Sequence, residues 1–235
     1  MRRLFGLGGA LPVAVASAFI VGVQLAPAAE RGDADDERQG RTSLEFVGRA
    51  EQNCPGITIF GYVTHVRGLD DALLFAAPTA AARNETTARI SFFATTTIAQ
   101  TFMVLPLPTQ PSLFDSDSTG TLTFHFVETP SGRTFDTPSS FASGTAVSTN
   151  TLRFQDVVAA LGGVDPSRGV VESHGELCQQ SVVPFRLGGE VQRLGRRGLL
   201  QDVSTHGWSV RTSPSQPQSF THFGGRTSPL GQDRC

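Results

Sequence analysis

The histidines are the side chains of this sequence best suited to metal binding or acid–base catalysis, and they are widely spaced along the chain. His174 and Glu176 are two residues apart, so both would lie on one face of a strand. No HxH or HExxH motif and no compact set of histidines and carboxylates occurs. The spacing therefore predicts neither a metal site nor a cofactor. The five histidines are His65, His125, His174, His206 and His222.

Nucleophilic and carboxylate catalysis have no distinctive signal either. The chain lacks a GxSxG nucleophile elbow, and Asp202 with His206 is only one of many conceivable pairs. Glu128 and Asp136 flank the Pro130 turn, where two solvated carboxylates are the simpler interpretation. No glycine-rich loop joins a strand to a helix, so a nucleotide phosphate would have no cradle. The catalytic residues stay unassigned, and whether the protein is an enzyme stays open.

The aromatic composition points to an apolar interior rather than to a stacking surface. The sequence has seventeen phenylalanines but one tyrosine and one tryptophan. Surfaces that stack on sugars or bases favour tyrosine and tryptophan, which carry a polar group. Phenylalanine suits a packed core, or a barrel that encloses one small apolar ligand. The formal net charge of −2 gives no basic face, so nucleic acid is not an expected partner.

The N-terminus has the pattern of a secretory signal peptide. Arg2 and Arg3 precede an uncharged, mainly apolar stretch that ends at the small residues Ala26-Pro27-Ala28. We expect residues 1–28 to be a signal peptide, with an uncleaved membrane anchor as the alternative and the only predicted contact with a membrane. A charged, flexible linker at 29–43 would follow. The predicted location is secreted, periplasmic or cell-envelope, by Sec-type bacterial export.

An exported chain meets an oxidising compartment, where cysteines pair. The three cysteines are Cys54, Cys178 and Cys235, which suggests one disulfide and one spare thiol. Cys54 and Cys178 both lie in strand-like sequence, so the predicted bond joins them. Cys235 would then be free or would link two chains.

Alternating apolar residues predict an all-β domain over 44–212. In Gly120–Glu128, the side chains of Leu122, Phe124 and Phe126 share one face, opposite Thr123 and His125. Gly188-Gly189 predicts a tight hairpin, and residues 153–161 are the one helix-like candidate. An antiparallel barrel is favoured over a sandwich, with a disordered or loosely docked tail at 213–235. Strands are predicted near 44–48, 57–66, 72–76, 87–97, 99–104, 120–128, 168–173, 180–187, 190–194 and 205–211.

In size, export and strand-rich character the chain resembles the allene oxide cyclase and dirigent barrels. Their glycine-rich GGTG-type segment is missing, and the nearest match is LGGEVQRLG at 187–195. The resemblance therefore implies an architecture and transfers no functional residue. The leading hypothesis is non-enzymatic binding of a small apolar ligand or a protein partner. The alternative is a small barrel enzyme of the isomerase or cyclase type.

Overall fold

A computed structural model describes residues 43–104, 112–160, 168–212 and 217–235. The predicted signal peptide lies outside the described residues, as does the predicted linker apart from Ser43. No helix among the described residues has the length and apolar character needed to cross a membrane. Three short 3-10 helices span Asp71–Leu74, Ala80–Ala82 and Pro138–Ala142. The strands are β1 (Leu44–Asn53), β2 (Gly56–Val66), β3 (Ile90–Val104), β4 (Ser112–Phe126), β5 (Thr145–Ala160), β6 (Arg168–Val182), β7 (Phe185–Leu187), β8 (Glu190–Gln192), β9 (Leu199–Arg211) and β10 (Ser219–Arg234).

Eight of these strands form a closed antiparallel barrel in the order β1-β2-β3-β4-β5-β6-β9-β10. Each strand pairs with its neighbour in sequence, except that the β7–β8 hairpin is inserted between β6 and β9. The barrel closes where β10 returns to β1, with Leu44 opposite Thr227. The predicted all-β barrel is confirmed.

Alternation of side chains along the strands separates the barrel interior from its outer surface. Leu122 and Phe124 are buried on the inner face of β4, while Thr121 on the opposite face is exposed. Phe92 and Ala94 of β3 are buried in the same way. Leu122 and Phe124 are positions that the period-two pattern assigned to the inner face. A shift of one residue would exchange the two faces, so the burial of these side chains fixes the register.

One segment predicted as helical is a strand. Residues 153–160 belong to β5, which pairs with β4 on one side and β6 on the other. Leu152 and Phe154 are buried while Arg153 and Gln155 are exposed, which is strand alternation. Pairing on both edges therefore decides this segment rather than its weak helical propensity.

The C-terminal segment was also predicted incorrectly. Ser219–Arg234 forms β10, which lies between β1 and β9 and belongs to the barrel instead of a loosely docked tail. Its sequence is rich in glycine and polar residues, so it gives little alternating signal. Its backbone nevertheless pairs on both edges, and that pairing holds a strand that local sequence alone does not specify.

The disulfide joins Cys178 to Cys235, with their Cα atoms 5.7 Å apart. Cys54 is free and exposed in the turn between β1 and β2, so the predicted bond between Cys54 and Cys178 is wrong. In either direction around the barrel, at least two strands separate that turn from β6. Crossing them takes roughly 14 Å at the usual strand spacing, and a disulfide needs Cα atoms within about 7 Å. Cys235 follows β10 and reaches Cys178 across β9. The backbone N–H of Cys235 donates a hydrogen bond to the carbonyl of Gly198, just before β9, at 3.3 Å.

One end of the barrel is plugged by side chains of the connecting segments. Gly188 and Gly189 have φ of 63° and 87°, which confirms the tight hairpin between β7 and β8. The Phe185 ring from this hairpin lies 4.6 Å from that of Phe126 at the end of β4. Leu74 from the first 3-10 helix joins the same buried cluster. This end of the barrel is therefore packed, and we call it the closed end.

Candidate functional site

A cavity of about 140 Å³ lies inside the barrel. Its wall reaches Gln52 and Ser219, which are at the strand ends opposite the closed end. Most of the lining is aromatic or aliphatic, and it includes Phe46, Phe92, Leu122, Phe124, Phe154 and Phe223.

Phenylalanine rings build one wall of this cavity by packing edge to face. Phe46 and Phe92 have ring centroids 5.4 Å apart at 71°, and the Phe46 and Phe223 centroids are 6.2 Å apart at 81°. Such pairs are a favourable arrangement for aromatic rings. Gly48 makes room for them, because a Cβ there would lie 2.7 Å from Cζ of Phe223. The apolar wall is therefore positioned by ring packing as well as by the strands.

A row of polar side chains crosses the wall from strand to strand. Ser116 of β4 is opposite Asp156 of β5, which is opposite Ser173 of β6, and Ser173 is opposite Thr205 of β9. All four residues line the cavity. The Ser173 hydroxyl donates a hydrogen bond to Oδ1 of Asp156. We call these four residues the polar row, and it supplies a carboxyl group and three hydroxyl groups to an otherwise apolar space.

Asp156 is the chemically distinctive member of the polar row. The pKa of this carboxyl is raised from 3.8 to about 6, mainly by burial. The Ser173 hydrogen bond lowers the pKa and the nearby Asp115 carboxylate raises it, and both effects are smaller than that of burial. Asp115 lies on the outer face of β4, where its Oδ2 accepts a hydrogen bond from Gln155 at 2.9 Å. Its Oδ1 is buried and has no hydrogen-bond partner within the part of the chain that the structure describes. Asp156 can therefore gain or lose a proton close to neutral pH, as carboxyl groups in functional sites often do.

The carboxylates and histidines that the sequence suggested lie elsewhere. His174 and Glu176 do share one face of β6, but both side chains are exposed on the outside of the barrel. Asp202 and His206 are on the outer face of β9, four residues and roughly 13 Å apart along the strand. Glu128 and Asp136 are exposed in the segment that follows β4. The fold does not bring these residues into the cavity.

Two other histidines, His65 and His125, also lie outside the cavity. His65 Nδ1 lies 2.7 Å from Oδ1 of Asp71, and both side chains are partly exposed. His125 is half-buried on the outer face of β4, and burial lowers its pKa. Within the described ranges, no three histidine, cysteine or acidic residues come close enough to hold a metal ion.

Sequence reasoning missed Asp156, although a usable signal was present. Leu152, Phe154 and Asp156 are spaced by two residues, so a strand places all three on one face. Interpreting the segment as a helix removed that spacing and left the aspartate without a location. A lone acid that continues an inward apolar face was the informative feature.

Comparisons of the chain with protein-family models, with curated proteins and with solved structures find no match.

Proposed function

We propose that the barrel binds a small, mainly apolar molecule in its interior. The observation that carries this proposal is the cavity of about 140 Å³, which is lined mainly by phenylalanine and aliphatic side chains. Protein interiors are normally close-packed, with few voids larger than a water molecule. An apolar cavity of roughly 150 Å³ in another protein accommodates benzene. The interior of this barrel therefore suits a single ring or a short hydrocarbon chain.

Burial of the ligand's own apolar surface also favours binding. The cavity is reached from the end of the barrel opposite the closed end, and moving apolar surface out of water is favourable by about 25 cal/mol per Å². We propose an extracytoplasmic location for this activity, with which the Cys178–Cys235 disulfide is compatible.

Filling the cavity tests this function directly. Val203 lines the cavity from β9, so Val203→Phe should occupy part of the ligand space and weaken binding by about tenfold or more. The measurement is isothermal titration calorimetry with ethylbenzene, a single-ring hydrocarbon. Val170→Phe is the matched control, because Val170 is 41% exposed on the outer face of β6. Ethylbenzene binding that is not saturable, or that both variants weaken equally, would reject the proposal.

A second candidate is a small barrel enzyme of the isomerase type, and the polar row is the observation that favours it. A carboxyl group whose pKa is raised to about 6 within an apolar cavity can accept a proton from one carbon of a substrate and return it to another. Such a step has no net change in protons and needs no cofactor. Recovery of the bound molecule chemically unchanged would favour simple binding over catalysis.

A further inference from the structure

We infer that the ligand carries a protonated amine on its apolar body and that Asp156 binds this ammonium group. This inference rests on the proposed binding of a ligand in the cavity, and it names the polar end of that ligand. It follows from the charges that face the cavity, from the hydrogen-bonding groups around Asp156, and from the acid next to it.

The cavity wall carries a negative charge without a balancing cation. Among the described lining residues, Asp156 is the one acid and no arginine is present. His174 contributes to the wall, but its side chain is exposed on the outside of the barrel. A ligand carboxylate would therefore meet a like charge in a poorly solvated space with no cation to balance it, which is strongly unfavourable. An ammonium group would instead form an ion pair.

The hydrogen-bonding groups match an ammonium better than a hydroxyl. The Ser173 hydroxyl occupies Oδ1 of Asp156, and Oδ2 accepts no hydrogen bond from the described residues. Ser116 lies opposite Asp156 on the adjacent strand and can also accept a hydrogen bond. A primary ammonium has three N–H donors and no acceptor, whereas an alcohol has one donor. Oδ2 of Asp156 and the Ser116 hydroxyl therefore offer acceptors that an ammonium group uses more fully than an alcohol does.

A second acid strengthens the preference for a cation. Asp115 lies on β4, next to β5, and its carboxylate acts on Asp156 through space. Two neighbouring carboxylates repel each other, and an ammonium group bound to Asp156 from the cavity side would offset that repulsion. The local field therefore favours a positive group more than Asp156 alone would.

A panel of compounds that differ only in the polar end tests the inference. At pH 7.5, isothermal titration calorimetry of the unmodified protein would compare 2-phenylethylamine, 2-phenylethanol, 3-phenylpropionate and ethylbenzene. We expect the amine to bind about tenfold tighter than the alcohol, and the carboxylate to bind about tenfold weaker than the alcohol. In Asp156→Asn, the amine and the alcohol should bind within about twofold of each other while ethylbenzene is unaffected.

Asp117→Asn is the matched control, because Asp117 lies on the outer face of β4 and accepts a hydrogen bond from Gln100 at 2.9 Å. This variant should keep the preference for the amine. Equal binding of amine, alcohol and carboxylate in the unmodified protein would overturn the inference and leave the cavity-binding proposal standing. Tighter binding of the carboxylate would overturn it as well. Failure of all four compounds to bind would reject the binding function itself. The order of affinities in the unmodified protein decides the matter even if Asp156→Asn does not fold.

Discussion

At the scale of single residues, Asp156 concentrates most of the chemistry of the cavity. It continues the inward face formed by Leu152 and Phe154, and it is hydrogen bonded to Ser173 on the adjacent strand. A carboxyl in this position is stable as an acid and costly as an anion, because burial penalises its charge. Its protonation should therefore affect both ligand preference and the stability of the fold.

The stability of the protein should fall as pH rises through the range in which Asp156 ionises. Burial, with Asp115 adding to the effect, raises the folded-state pKa from 3.8 to about 6. The folded protein therefore holds this proton more tightly than the unfolded chain. The contribution of Asp156 is fully present below about pH 4 and is lost by about pH 6, and it is worth at most about 3 kcal/mol. Urea denaturation of the unmodified protein and Asp156→Asn at pH 4.5 and 7.5 measures it.

Asp156→Asn should flatten this dependence and should unfold at higher urea than the unmodified protein at pH 7.5. Asp117→Asn, at the outer face of β4, is the control and should leave the dependence intact. An unchanged pH profile in Asp156→Asn would contradict the assigned role of the carboxyl group.

The types and spacing of the histidines could not have led to this site. The acid that matters is single, and its neighbours come from other strands.

At the scale of elements, the strands with clear alternation could be predicted and the others could not. β3 and β4 show apolar residues at every second position, because their inner faces pack in the barrel and their outer faces meet water. β10 lacks that pattern, because several of its inward positions are polar or glycine. Ser219 and Thr221 line the cavity, and Gly225 lies against the Phe46 ring. Pairing with β1 and β9 determines β10, and such long-range partners are not encoded in its own residues.

Truncating Phe124 should test the packing of β4. Phe124 is 3% exposed, and its ring centroid lies 6.1 Å from that of Phe92. Phe124→Ala should lower the free energy of unfolding by about 3 kcal/mol, at the low end for phenylalanine, because one side of the ring already faces the cavity. Thr123→Ala on the outer face should change it by about 0.5 kcal/mol or less. Chemical denaturation compares the two variants, and equal small losses would contradict the inward position of Phe124.

At the scale of the whole molecule, the disulfide fixes the end of β10 to β6 across β9. Cys178 and Cys235 are separated by 57 residues in the sequence. Their bond therefore restricts a long loop of the unfolded chain as well as holding two non-adjacent strands of the folded barrel. The sequence indicated one disulfide and one spare thiol, but choosing the partner of Cys178 required the strand order.

Removing this bond should destabilise the protein, and removing the third thiol should not. Cys235→Ser should lower the free energy of unfolding by up to about 4 kcal/mol, from the chain entropy of a loop of this length. Cys54→Ser should leave it within about 0.5 kcal/mol, because Cys54 is exposed in a turn. Denaturation with and without reductant gives both values. Peptide mapping that joins Cys54 to Cys178 would contradict the observed pairing.

The seam between β1 and β10 also affects how the chain reaches its fold. The other barrel contacts join strands that follow one another in the sequence or are separated by the β7–β8 hairpin, so they can form as local hairpins. The seam joins the two ends of the domain and must wait until β10 has been synthesised. Until then β1 and β9 each present an unpaired edge, to which another chain could add. Closure by β10 covers both edges at once and so removes this route to aggregation during folding.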